Sequence, residues 1–163
     1  MSHRKAKRNN RGILTIEGNC VRPMSFGIHE LRSVHEYYQV KDVSKVDEKL
    51  KGTAVRLRKL IDLVGPEYQT KYITVESEDG TFSASLPLDE ISRTALVIYA
   101  IKNKPLERDE GGPVRFVIPF YGDKCANVKG AVRMTLSEEP GRDTRPSNPQ
   151  EHADLHEAEK PKA

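Results

Sequence analysis

Apolar residues along this chain recur mostly at every second position, and only one stretch shows a clear helical spacing. "ILTIEGNCV" at residues 13–21 alternates apolar and polar side chains and predicts a strand or the start of a hairpin, with Gly18 as a bulge or turn. In "PMSFGIHELRSV", Ser25 is placed to cap a short helical turn whose apolar face holds Ile28 and Leu31. Alternation returns in "EYYQVKDVSKV", with Tyr38, Val40 and Val43 facing inward after one slip of register. The helical exception is "VRLRKLIDLVGPEY": Leu57, Leu60, Ile61 and Val64 fall on one stripe, and Gly65-Pro66 ends it. "KYITVESEDGTFSASLPL" predicts a hairpin about a type I′ turn at Asp79-Gly80. "LDEIS" predicts a helical turn, and the unbroken "TALVIYAI" predicts a strand buried on both faces. In "GGPVRFVIPFYGDKCANVKGAVRMTL" at 111–136, two alternating pieces flank a polar loop. No repeat is visible. The sum is an α+β fold, strand-dominated, with mixed sheets and a few short helices.

Composition changes the picture at the two ends. Of the 163 residues 36% are hydrophobic and 31% charged, a low and a high share for a globular chain. Residues 2–11, "SHRKAKRNNR", hold five Lys and Arg and no acid, while 137–163 hold seven acids, four bases and four of the ten prolines. Neither end has the apolar side chains to offset the entropy of ordering. The expected organisation is a disordered basic arm at 1–11, a domain at 12–136, and a disordered acidic, proline-containing tail at 137–163. Once the arm is set aside the domain is near neutral, so the net charge of +3 does not mark a nucleic-acid-binding protein. No apolar run approaches the ~20 residues that span a bilayer, and the basic start lacks the apolar segment of a signal peptide. A cytoplasmic protein with Cys20 and Cys125 as reduced thiols is the expectation.

Several constellations fail on spacing. His29 and His35 stand six apart, off one helix face, and no Ser–His–acid set or phosphate-cradling G-x-x-x-x-G-K is present. His152 and His156 have metal-ligand spacing if helical, but lie in the tail. The chemistry of interest is in the loop after Tyr121, which offers Gly122, Asp123, Lys124, Asn127 and Lys129 within eight positions.

The series "KGTAVRLRKLIDLVG", "ITVESEDGTFSASLPLDEI", "LVIYAIKNKPLERDEGGPVRFVIPFYG" and "CANVKGAVRMTL" resembles, in this order, the oxidoreductase molybdopterin-binding domain of the sulfite oxidase type. The likeness runs from Lys51 to Leu136 and extends faintly back to Gly12. It implies a pterin cofactor, the molybdenum cofactor, held by backbone N–H groups at close range and by fixed cations. Carried over by position, the cofactor-binding residues are Arg115, Gly122, Asn127, the backbone around Val128, and Lys129. Without the resemblance, Arg115 reads as an outward strand residue and Lys129 as an ordinary surface lysine.

The departures matter as much. Glu110 stands where the family has a pterin-facing histidine, and Gly130 where it has a tryptophan. Active members hold molybdenum through a cysteine thiolate, yet "HEYYQVKDVSKVDEKLKGTAVRL" contains no cysteine and aligns Asp42 near that place. Cys20 lies too early and Cys125 lies in the loop on the pterin side, so no metal ligand and no catalytic residue is assigned. The expected function is molybdopterin binding without ordinary oxidase catalysis. The alternatives are an active molybdenum oxidoreductase with a non-cysteine ligand, or a cofactor-free protein-interaction or nucleic-acid-associated module. A protein partner, for electron transfer or for interaction, fits the first two; neither membrane nor nucleic acid is an expected partner.

Overall fold

The alternating runs fold into ten strands shared between two sheets, in a computed structural model that describes residues 12–146. The first sheet contains β1 (Leu14–Gly18), β2 (Met24–Phe26), β5 (Tyr72–Ser77), β6 (Ser83–Pro87) and β10 (Ala131–Ser137), in the order β2-β1-β10-β5-β6. The second has β3 (Gln39–Val40), β4 (Thr53–Arg56), β7 (Leu96–Ile101) and β8 (Lys104–Pro105) in that order, with β9 (Arg115–Val117) also paired to β7. β10 runs parallel to β1 and antiparallel to β5, so the sheet is mixed. Among the described residues, three helices, α1 (Ile28–Ser33), α2 (Leu57–Val64) and α3 (Leu88–Ile91), accompany the strands beside several 3-10 turns.

The α2 stripe is where the pattern placed it. Leu57, Leu60, Ile61 and Val64 are all buried, at about 1.5–3 kcal/mol for each large side chain removed from water. Gly65 closes the helix in the left-handed region, at φ 67°, and donates its N–H to the Ile61 carbonyl. β7 is buried over almost its whole length, as its unbroken apolar run implies. The main core packs α2 against residues of both sheets, among them Ile16, Phe26, Ile73, Leu86, Phe116 and Met134. A smaller cluster gathers Val43 and Leu50 against Leu96, Ile98 and Val117.

Local assignments differ at four places. Ser25 does not cap a helix; it lies in β2 and its hydroxyl meets that of Thr15 at 2.8 Å, while Gly27 precedes α1. The hairpin does not turn on a two-residue loop. Five residues separate β5 from β6, the Ser77 amide donates to the Phe82 carbonyl, and the Asp79 carboxylate accepts from the Thr81 amide and from the Ser77 and Thr81 hydroxyls. These three bonds organise the loop through a side chain, which removes the need for left-handed φ at Asp79. "EYYQVKDVSKV" is strand only at Gln39–Val40, flanked by 3-10 turns at Glu36–Tyr38 and Val43–Lys45.

The fourth difference is the end of the domain. Past Leu136 the chain turns back along β6 as a strap. The Thr144 amide donates to the Ser83 carbonyl at 2.8 Å, Ser83 Oγ donates to the Arg142 carbonyl, and the Gly141 amide donates to Ser85 Oγ. An edge strand supplies backbone groups that a polar segment can satisfy without a large apolar face, so composition alone missed it. The basic arm at 1–11 and the pair His152 and His156 lie outside the described residues.

A chain ending at Leu136 should melt roughly 5–10 °C below one ending at Pro146, since the strap's bonds are worth about 1 kcal/mol each. Scanning calorimetry of the two chains checks this. Burial alone would raise the Asp143 carboxyl, but hydrogen bonds from the Arg145 side chain and amide and from the Ser85 amide hold it below its ordinary value. A depressed carboxyl stabilises above its unfolded pKa of about 4 and loses that contribution as pH falls through the folded value. The gap between the two melting points should therefore narrow as the pH is taken from 6 to 3.

Candidate cofactor-binding cleft

The cleft of interest forms where a loop of the second sheet faces the loop after β9. Alternation along β9 sends Phe116 into the main core and Val117 into the smaller cluster, beside Val43 and Leu50. Val43 and Leu50 anchor the segment between them, and Ser44 to Leu50 become one wall of a cavity of about 670 Å³. Arg115, on the same face of β9 as Val117, enters that cavity, and Ile118, Phe120, Tyr121, Lys124 and Asn127 line its other wall.

Both ends of the second wall are pinned. Phe116 and Val128 exchange backbone hydrogen bonds of 2.9 and 2.8 Å, and Asn127 Oδ1 accepts from the Ile118 amide at 2.8 Å. Asp123 accepts from the Cys125 amide and so starts the 3-10 turn Lys124–Ala126. Phe120 stands at the rim, 83% exposed and in the left-handed region at φ 61°, a conformation that costs a non-glycine residue roughly 1 kcal/mol or more.

Charge in the cleft is unevenly distributed. Lys45, Lys49, Lys124 and Arg115 line it against Asp47 and Glu48. Arg115 is half-buried, its Nε has no hydrogen-bond partner, and desolvation lowers the guanidinium's pKa from its ordinary value. The stem of Arg115 lies over Gly111, where a Cβ would approach its Cδ to 3.1 Å. A buried donor of this kind is costly unless something accepts from it, and an anion in the cleft would do so.

The five residues expected at the cofactor divide. Arg115 and Asn127 meet in the cleft. Lys129 does not line it; it is exposed and borders a separate depression of about 520 Å³ with Arg108, Gly112 and Gly130. Gly122 is exposed, and a Cβ there would meet nothing within 4 Å, so close backbone approach does not explain this glycine. Val128 is buried and both of its backbone groups are committed to Phe116, so it braces the loop. Glu110 is turned away as well: its carboxylate accepts from the Glu107 amide within a capping box.

The cationic residues of the cleft that the resemblance did not single out are Lys45, Lys49 and Lys124. Lys45 lies in a stretch read as a strand and Lys49 just past its end, and only the apolar pair Val43 and Leu50 hinted at a loop anchored at both ends. Asp42 caps that loop's first turn by accepting from the Ser44 hydroxyl and amide, which together lower its pKa, and it is exposed outside the cleft. Cys20 is buried, and desolvation together with Glu67 and Glu17 raises its thiol pKa. Neither Cys20 nor Cys125 lines the cleft, and among the described residues no three His, Cys, Asp or Glu side chains gather into a metal-binding group.

Comparison with known proteins bears on this arrangement. The model of the oxidoreductase molybdopterin binding domain matches residues 5–144. The chain belongs to that family. The uncharacterized oxidoreductase YuiH of Bacillus subtilis is 26% identical over 136 residues, covering 78% of this chain and 67% of that protein. The sulfane dehydrogenase SoxCD from Paracoccus pantotrophus shares the fold at a TM-score of 0.61 and 17% identity, over 78% of this chain and 38% of that one. The chain thus spans well under half of that solved chain. Among the described residues no helix is long and apolar enough to cross a membrane.

For a molybdopterin-binding domain the donor set fits one half of the cofactor better than the other. An arginine whose buried Nε has no acceptor, together with three lysines, suits a phosphorylated pterin, whereas no thiolate lines the cleft to hold a metal. Replacing Arg115 with Met should leave the ligand-free protein as stable as wild type or raise its melting point by a few degrees, because it removes a buried donor without a partner. Differential scanning fluorimetry of ligand-free protein measures this, and a marked loss of stability would show that Arg115 serves the fold.

Proposed function

We propose that this protein binds the phosphorylated pterin of the molybdenum cofactor in the Arg115 cleft and does not run ordinary oxidase chemistry. The observation that carries the reading is the buried Arg115 Nε with no protein acceptor, in a cavity that Lys45, Lys49 and Lys124 make cationic. Arg115 would hold an anionic oxygen, Lys124 and the two lysines of the facing loop would neutralise charge, and Phe120 would offer a ring face at the rim. Where a thiolate holds it, the metal supplies redox chemistry. Here the segment from His35 to Leu57 has no cysteine.

Protein purified from a cofactor-producing host should carry pterin but far less than stoichiometric molybdenum, and should show no sulfite-dependent electron transfer. Arg115→Met should weaken pterin binding roughly tenfold to a hundredfold, the scale of a hydrogen bond to a charged group. Lys129→Ala should leave pterin content near that of wild type. Equal pterin in wild type and Arg115→Met, or none in wild type, would refute the cofactor reading. Stoichiometric molybdenum that survives Cys20→Ser together with Cys125→Ser would instead favour an oxygen ligand, with Asp47 and Glu48 the carboxylates in the cleft.

A further inference from the structure

We propose that Arg145 is a positioning residue for the cleft, latching the Gly122–Asn127 loop to the first sheet through Asp123 and so setting the affinity of the anion site. The affinity half rests on the anion reading of the cleft; the latch does not.

The guanidinium is shared among three acceptors. Nη1 reaches Asp123 Oδ2 at 3.1 Å, Nε and Nη2 reach the Asp143 carboxylate at 3.0 and 2.6 Å, and Nη2 also donates to the Ser85 carbonyl at 2.9 Å. Ser85 is in β6 and Asp143 is in the strap, so the arginine is fixed to the sheet before it touches the loop. At Asp123 the two carboxylate oxygens serve different partners. Oδ2 takes the arginine, while Oδ1 accepts from the Cys125 amide at 2.9 Å and starts the turn that presents Lys124.

Arg145 does not line the cleft, and its side chain is 20% exposed against 31% for Asp123. An ion pair this sheltered is less screened than a surface pair, and its loss falls first on the loop. A second tether runs from the Tyr121 hydroxyl to Glu90 Oε1 at 2.9 Å, so the loop is fixed at α3 and at the strap. Lysine could not reproduce the latch, because one ammonium cannot span Asp143, the Ser85 carbonyl and Asp123 together.

The test is hydrogen exchange on full-length wild type, Arg145→Ala, Arg145→Lys and Asp123→Asn, with inorganic pyrophosphate as the calorimetric probe. Asp123→Asn keeps an oxygen acceptor for the Cys125 amide and turns the group facing Arg145 from a charged acceptor into an amide donor. Arg145→Ala and Asp123→Asn should speed exchange of amides 122–127 about tenfold and raise the pyrophosphate Kd roughly threefold to tenfold, the scale of a lost local coupling. Amides of β5 and β10 should keep their rates. Arg145→Lys should fall between wild type and Arg145→Ala. Combining Arg145→Ala with Asp123→Asn should add little to either alone. Unchanged exchange of 122–127 in Arg145→Ala overturns the latch. Faster exchange with unchanged pyrophosphate affinity overturns its link to the site. If wild type binds no pyrophosphate while Arg145→Ala still frees the loop, the anion reading fails and the latch stands.

Discussion

The backbone exchange between Phe116 and Val128 is the contact on which the site depends. β9 belongs to the second sheet and β10 to the first, and the chain between them must cross from one to the other. The crossing is held at Phe116–Val128 and again where the Ala131 amide donates to the Val114 carbonyl. Between these paired ends, residues 117–127 form a closed excursion, with Asn127 bonded across it to Ile118. Phe116 is fully buried, so the bridge forms in a dry setting where its two hydrogen bonds are protected from exchange with water. Arg115 and Asn127 meet in one cleft because they flank this bridge.

The opposite wall is built by a different device. Val43 and Leu50 insert into the smaller apolar cluster and leave the polar residues between them outside. Lys45 and Lys49 are thereby delivered to the cleft by burial of their neighbours and by local turn bonds, the Lys45 amide donating to the Asp42 carbonyl and the Lys49 amide to the Asp47 carboxylate. One wall is closed by backbone pairing at its ends, the other by two apolar anchors with capped turns between them. The cationic character of the cleft arises only when the walls face one another.

Much of the fold was legible in the chain because its elements follow simple periods. The α2 stripe, the double-sided burial of β7 and the two strands around the loop needed nothing beyond local pattern and turn residues. Parallel pairing of β1 with β10 was not legible, since it joins segments more than a hundred residues apart and leaves no local trace. The strap was hidden because its stability comes from backbone groups of β6, not from apolar content. The lining of the candidate cleft was legible in part. Of the residues that the resemblance singled out, Arg115 and Asn127 line the cleft, while Lys129 borders a neighbouring depression because Val128, beside it, is committed to the bridge. Lys124 was in view in the loop, but only the Asp123-started turn shows why it faces the cleft.

The central claim is that the cationic cleft, and not the depression beside Lys129, receives the phosphorylated pterin. Nitrogen-15 spectra of wild-type protein titrated with that pterin test it most directly. The account predicts that the Arg115 Nε–H resonance shifts strongly downfield, with accompanying shifts in amides 44–50 and 120–127. Shifts confined to Arg108, Lys129 and Gly130, or an Arg115 Nε–H resonance that does not move at saturating pterin, would contradict it.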